Sequence, residues 1–189
     1  MAVGAVMTTS IGEAAQTDGP VTLSPSEYET LAAVCARIIP SDENGPGAEE
    51  AQAVRFIDRG LGGALASSLV DYRTGLTALD IYSNTAHGGD FSTLTDSEQD
   101  EVLEAVQDNL ATGFPANPAQ FFNMVRGHTI QGTFSDPFYG GNANFVGWDM
   151  IGYPGVRTAV PEQYQQIGAD HTPNHQSVYD FTMFDEGEV

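Results

Sequence analysis

Between residues 24 and 131 apolar positions recur every three to four residues, in stretches punctuated by caps, prolines and glycines; this predicts a run of helices. Ser24-Pro25-Ser26-Glu27 opens the first, with a capping hydroxyl, proline at the first helical position and glutamate three residues after the cap. Tyr28, Leu31, Ala32, Cys35, Ile38 and Ile39 then form one apolar face, and Pro40 ends it. Ser41 to Gly47 reads as an acidic turn whose Asp42 and Glu43 lack the spacing of an EF-hand loop. A second helix is predicted from Ala48 to Gly60, with Ala51, Val54, Ile57 and Leu61 inward and its acids at the N-terminus, where the helix dipole favours them. The third runs from Ala64 to about Ala86 on a stripe of Leu65, Leu69, Tyr72, Leu76, Leu79 and Tyr82; Gly75 weakens it and Gly88-Gly89 stops it. Thr95 and Glu98 form a second capping box, opening a helix to Ala111 that buries Val102, Leu103, Val106 and Leu110. A fifth, from about Pro118 to Gln131, carries Phe121, Phe122, Val125 and Thr129. Short connections between about five helices predict a mostly α fold, an irregular bundle.

The pattern then changes. From Gly132 to Gly155 the chain is crowded with glycine and aromatic residues, among them its only tryptophan, Trp148. Asp136-Pro137, Gly140-Gly141-Asn142 and Tyr153-Pro154-Gly155 read as successive turns, so this predicts a long ordered loop without helix or strand. Its aromatics either plug the bundle's core or make a sticky surface for a partner. Beyond Gly155 the signal fades: residues 161–167 suggest one brief helix, and 168–189 an extended tail that orders on a partner or stays disordered. The expected organisation is a signal-like or disordered segment over 1–20, one helical domain over 21–167 that includes the 132–155 loop, and the tail.

Gly132, Phe134, Ser135-Asp136-Pro137, Tyr139-Gly140-Gly141-Asn142, Gly147-Trp148 and Ile151-Gly152-Tyr153-Pro154-Gly155 carry a resemblance, as does the upstream stretch Leu31 to Pro40. Over residues 23–155 the chain resembles the small subunit (subunit 3, or gamma) of membrane-associated gluconate 2-dehydrogenases. That family includes the small subunits of related FAD-dependent sugar dehydrogenases, such as glucoside 3-dehydrogenase. The resemblance implies a non-catalytic subunit that stabilises a large GMC-type flavoprotein and helps export it. The large subunit would carry FAD and remove hydride from a sugar hydroxyl, in some complexes beside a cytochrome c subunit. The location implied is periplasmic, membrane-associated through the complex. On this reading the loop docks on the large subunit, with Phe134, Phe138, Tyr139, Trp148 and Tyr153 as desolvated anchors beside Pro137, and Asp136 and Asn142 holding the turns. A reading from another class stays open: a free-standing helical protein whose aromatic loop stacks directly on a sugar.

Charge narrows the partners. With six arginines, no lysine and 26 acidic residues among 189, the formal charge is −20, which repels nucleic acid and anionic lipid surfaces. A solvated acidic surface, adaptation to high salt and complementarity with a basic partner all fit this excess. The small-apolar start and Gly12-Glu13-Ala14-Ala15 resemble the end of an export signal but lack a basic region and a twin arginine. Cys35 stands alone on the apolar face of its helix, so it reads as core, and no haem-attachment motif exists. His171 and His175 are four apart but separated by Pro173, which spoils a helical ligand pair. His87 reads as a helix-end residue, and His128, leading into the loop, as a hydrogen-bonded junction residue. With no nucleophile elbow, Walker A motif or dinucleotide fingerprint, no catalytic, cofactor or metal site is expected in this chain itself.

Overall fold

The computed structural model of the chain describes residues 19–183. The signal-like reading of residues 1–20 therefore falls almost wholly outside the described residues, as does the end of the tail. Six α-helices follow in order: α1 Pro25–Ile38, α2 Ala53–Leu61, α3 Leu69–His87, α4 Asp96–Gln107, α5 Pro118–Phe134 and α6 Val146–Met150. Short 3-10 turns join them, and no strand occurs among the described residues. The mostly helical class is as the periodicity predicts. Helix α5 is the hub and packs on each of the other five. Leu31, Val34 and Cys35 of α1, Ile57 and Leu61 of α2, Tyr72, Leu76 and Leu79 of α3, Val102 and Val106 of α4 and Val125 of α5 close one core with Phe91.

Both capping boxes form. The Ser24 N–H donates to Glu27 Oε2 at 2.8 Å, and Thr95 N–H to Glu98 Oε2 at 2.9 Å, each with the reciprocal bond. Other boundaries move for local reasons. Helix α2 starts at Ala53, not Ala48, because Gln52 is left-handed (φ 55°) and Ala48–Gln52 is a turn closed by Ala53 N–H on the Ala48 carbonyl. Glu49 and Glu50 thus precede the helix; Glu50 accepts the Gly47 N–H at 2.8 Å instead of complementing the dipole. Helix α3 begins at Leu69 after a 3-10 turn over Ala66–Ser68. Helix α4 ends at Gln107: Asn109 turns left-handed, Ala111 folds in, and Leu110, predicted inward, is 70% exposed. Gly75, which reads as a weak point of α3, is a slot; a methyl there would meet the Phe121 ring at 2.2 Å.

A buried carboxylate fixes the entry to α1. Asp58 of α2 is inaccessible to solvent and accepts three consecutive backbone N–H groups, from Val21 (2.7 Å), Thr22 (3.0 Å) and Leu23 (2.8 Å). Hydrogen bonds to an ionised acceptor are worth roughly 1.5–3 kcal/mol each, and burial without them is costly. Replacing Asp58 with Asn keeps the shape but leaves one of the two acceptor positions an N–H₂ donor. We expect Asp58→Asn to cost about 2 kcal/mol in urea denaturation. Proteases should also cut ahead of α1 sooner; an unchanged midpoint and cleavage pattern would refute this anchor.

Candidate functional site

The glycine–aromatic segment is less irregular than its sequence predicts. Its first three residues, Gly132 to Phe134, are the last turn of α5, and two 3-10 turns (Pro137–Tyr139 and Ala143–Phe145) lead into α6. Proline, glycine and polar side chains concealed this, because the turns are held by contacts remote in sequence. Asn142 N–H donates to the Gly132 carbonyl (2.8 Å) and Ala143 N–H to the Ala51 carbonyl (3.1 Å), laying the loop across α5 and the entry to α2. The Asn142 side chain is fully buried: Oδ1 accepts from Gly147 N–H (2.8 Å) and Trp148 N–H (3.4 Å), while Nδ2 donates to the Ser135 carbonyl (2.8 Å). It therefore caps α6 from outside the helix.

This contact is backbone on backbone. A methyl at Gly141 would lie 2.0 Å from the Gly132 carbonyl oxygen, and one at Gly147 would lie 1.9 Å from that of Thr133. Asn142 (φ 43°), Asn144 (φ 54°) and Phe145 (φ 63°) are left-handed, a conformation that a bulky phenylalanine resists. Phe145 is kept there by the His175 ring, stacked at 5.0 Å, and by Trp148 at 5.3 Å.

The aromatics divide into an inner and an outer set. Trp148 is only 5% exposed; its Nε1–H donates to the Phe134 carbonyl (2.9 Å) and its ring meets Tyr153 edge-on at 4.8 Å. Trp148 and Asn142 are thus spent inside the chain, and Phe134 is half-buried beside them. Phe138 (54% exposed) and Tyr139 (48%) face outward from the turn that opens at Pro137, and Tyr153, beside Trp148, is also exposed. Asp136 holds that turn, Oδ1 accepting the Phe138 N–H and Oδ2 the Val178 N–H, both at 2.9 Å. The second bond comes from the tail. Tyr179 stacks on Phe138 at 3.8 Å between ring centroids and shares a 2.9 Å hydroxyl–hydroxyl hydrogen bond with Tyr139. His175 Nε2 lies 2.8 Å from Asp149 Oδ1. Through Asn174, His175, Val178 and Tyr179 the tail lies against the loop of its own chain. Phe145 and Tyr179 escape sequence reading, which weighs His175 only as a partner of His171, since nothing local ties the tail to the loop.

Residues 25–155 match the sequence model of the family gluconate 2-dehydrogenase subunit 3, from the first residue of α1 to the end of the loop. The chain belongs to this family. No curated protein and no solved structure matches it. The family is one of subunits of a dehydrogenase complex, and no helix among the described residues of this subunit 3 chain is long and apolar enough to cross a membrane.

The remaining candidate residues of this gluconate 2-dehydrogenase subunit 3 relative are structural in placement. Cys35 is buried 3.3 Å from the Thr129 hydroxyl, and burial pushes its thiol up to about 12, far from a reactive thiolate. His171 and His175 diverge, His171 toward Tyr164 and His175 onto Phe145. His87 closes α3 within 4.0 Å of Glu98 and 3.9 Å of Glu101. His128 accepts from or donates to the Tyr72 hydroxyl through Nδ1 at 2.9 Å, with the rings stacked at 5.9 Å. Burial pushes the Tyr72 hydroxyl above its ordinary range, so it keeps its proton. Among the described residues no cluster of three or more His, Cys, Asp or Glu is placed to hold a metal.

Two predictions follow from this geometry. Gly141→Ala should cost about 3 kcal/mol or more in chemical denaturation, since only backbone can give way; a loss under about 1 kcal/mol would mean the loop lifts freely. Burial also lowers the His128 pKa below its usual 6.5. The unfolded chain then binds that proton more readily, so stability falls as pH drops through about 6.5. His128→Gln should flatten the urea midpoint between pH 7 and pH 5; an unchanged slope would assign it to other groups.

Proposed function

We propose that this chain is the non-catalytic small subunit of an FAD-dependent dehydrogenase that oxidises gluconate or a related sugar outside the cytoplasm. It stabilises the large flavoprotein and accompanies it in export. FAD, the hydride step and any cytochrome c partner belong to the other subunits. The observation that carries this reading is the outward pair Phe138 and Tyr139, held rigid by Asp136 and Tyr179 on a loop locked to α5. Solvating two large aromatics on a preorganised turn makes little sense for a solitary chain, whereas an anchor already held in place loses little entropy on binding. Tyr153 extends the same loop's exposed aromatic surface. Trp148 and Asn142 support that surface from behind. The acidic charge of −20 complements a basic partner face.

The test is co-expression with a large FAD-dependent oxidoreductase encoded beside it, with a tag on this chain only. A co-eluting flavoprotein whose visible spectrum bleaches on adding gluconate or another sugar supports the proposal. A colourless chain beside a flavoprotein that is fully active and soluble alone refutes it. Within the complex, Phe138→Ala and Tyr139→Ala should each weaken association by roughly 2 kcal/mol, more than the loss of their contacts with Tyr179 costs the isolated chain in thermal unfolding. Unchanged affinity in both would move the interface elsewhere.

A further inference from the structure

Behind Phe138 the loop and α2 enclose a cleft of about 400 Å³ whose walls include Arg55, Arg59, Gln52, Gly140 and Asn144. Arg55 and Arg59 are four residues apart on α2, so both guanidinium groups rise from one face. Arg59 lies along the bare backbone of Gly140, where a methyl would sit 3.0 Å from its Cδ and 3.1 Å from Nη1. The chain has few cations and uses most others: Arg37 bridges Asp96 and Asp100 at 2.7 Å each, and Arg73 reaches Glu27 at 3.6 Å. Arg157 donates to the carbonyls of Pro154 and Thr172. Arg55 finds only the Gln52 side-chain carbonyl, at 3.2 Å, and among the described residues neither Arg55 nor Arg59 has a carboxylate within ion-pairing distance. No acidic side chain among the described residues lines the cleft. In a chain with 26 acids, two adjacent unpaired arginines are the exception to the field around them. The rim is also conformationally fixed: Gln52 (φ 55°) and Asn144 (φ 54°) are left-handed, and in residues other than glycine such backbone persists only where its surroundings over-determine it.

Resting on the small-subunit reading above, we propose that this cleft receives an acidic side chain of the large flavoprotein subunit. Paired guanidinium groups match a carboxylate in geometry as well as charge. Phe138 forms both one wall of the cleft and the exposed aromatic patch, so a partner seated on the patch is bound to cover the cleft. Elsewhere the acidic surface attracts basic residues without choosing among positions. One contact of opposite sign fixes the register, because a partner shifted by a few ångströms would leave its carboxylate against acidic surface.

The experiment measures association of the full chain with the flavoprotein for Arg55→Gln/Arg59→Gln, for the double Lys variant and for Arg126→Gln, an exposed arginine on α5. The double Gln variant should bind about tenfold or more weakly, chiefly through faster dissociation, with Lys restoring part of the loss and Arg126→Gln none. Thermal midpoints of the isolated chains separate lost folding from lost binding. Wild-type affinity in the double Gln variant overturns the cleft while leaving the subunit reading intact if Phe138→Ala still weakens binding. No complex with wild-type chain overturns both. In parallel, gluconate and inorganic phosphate are titrated into the isolated chain while its arginine Nε–H resonances are followed. Saturable shifts lost in the double Gln variant would assign the cleft to a free anion and overturn the partner carboxylate.

Discussion

The loop rests directly on the backbone of α5, and that close approach is the constraint from which the rest of the site derives. Side chains normally hold a loop several ångströms off a helix. Here Gly141 and Gly147 bring main chain against the carbonyls of Gly132 and Thr133, leaving no room for even a methyl group. Gly132 in turn admits α2, since a methyl on it would meet the Ala53 carbonyl at 2.9 Å. Three layers of backbone therefore stack at one point: α2, the end of α5, and the loop. Polar backbone groups packed this tightly must find partners, and they do so across the layers, through Asn142 N–H to Gly132 and Ala143 N–H to Ala51.

Asn142 shows how the layers become one unit. Its buried amide uses both ends, the oxygen capping α6 and the nitrogen closing the end of α5 through Ser135. Because α6 carries Trp148, and Trp148 bonds back to Phe134, the inner aromatics are part of the same lock. The left-handed Phe145 is the strain this lock tolerates, offset by stacking on His175 and Trp148. The loop's aromatics thus divide by burial. Trp148 fills; Phe138 and Tyr139 face out.

Much of the bundle was legible because its signals are local. Ser24 with Glu27 and Thr95 with Glu98 announce helix starts within four residues, and the apolar stripe of α3 delivers Tyr72, Leu76 and Leu79 to the core. The failures have two causes: left-handed turns at helix ends, which the apolar pattern does not announce, and contacts remote in sequence. Gln52 breaks the expected second helix through a turn closed by Ala48, and Asn109 sends Leu110 outward at the end of α4. Gly75 weakens α3 by propensity, yet its missing side chain admits the Phe121 ring. In the site, the order of glycines and aromatics identified the family and placed the turns at Pro137 and Asn142. It did not reveal that those turns are helical, that the tail's Tyr179 completes the exposed patch, or that Arg55 and Arg59 stand behind it.

These last two features bear on how the proposed small subunit would hold its partner. A flexible aromatic loop loses much of its binding energy to ordering, so its contribution depends on being rigid beforehand. Tyr179 supplies part of that rigidity by stacking on Phe138, and Asp136 ties the tail's Val178 to the same turn. The exposed surface is therefore assembled from two segments, and neither holds its shape through local contacts alone. Charge then works at two ranges. The excess of acids acts over roughly a Debye length, about 8–10 Å at physiological salt, and on the small-subunit proposal would draw a basic partner surface near without orienting it. On the cleft proposal, Arg55 and Arg59 act only at contact, and with the opposite sign. On these proposals, long-range attraction and short-range register are carried by different residues, both arranged around one locked loop.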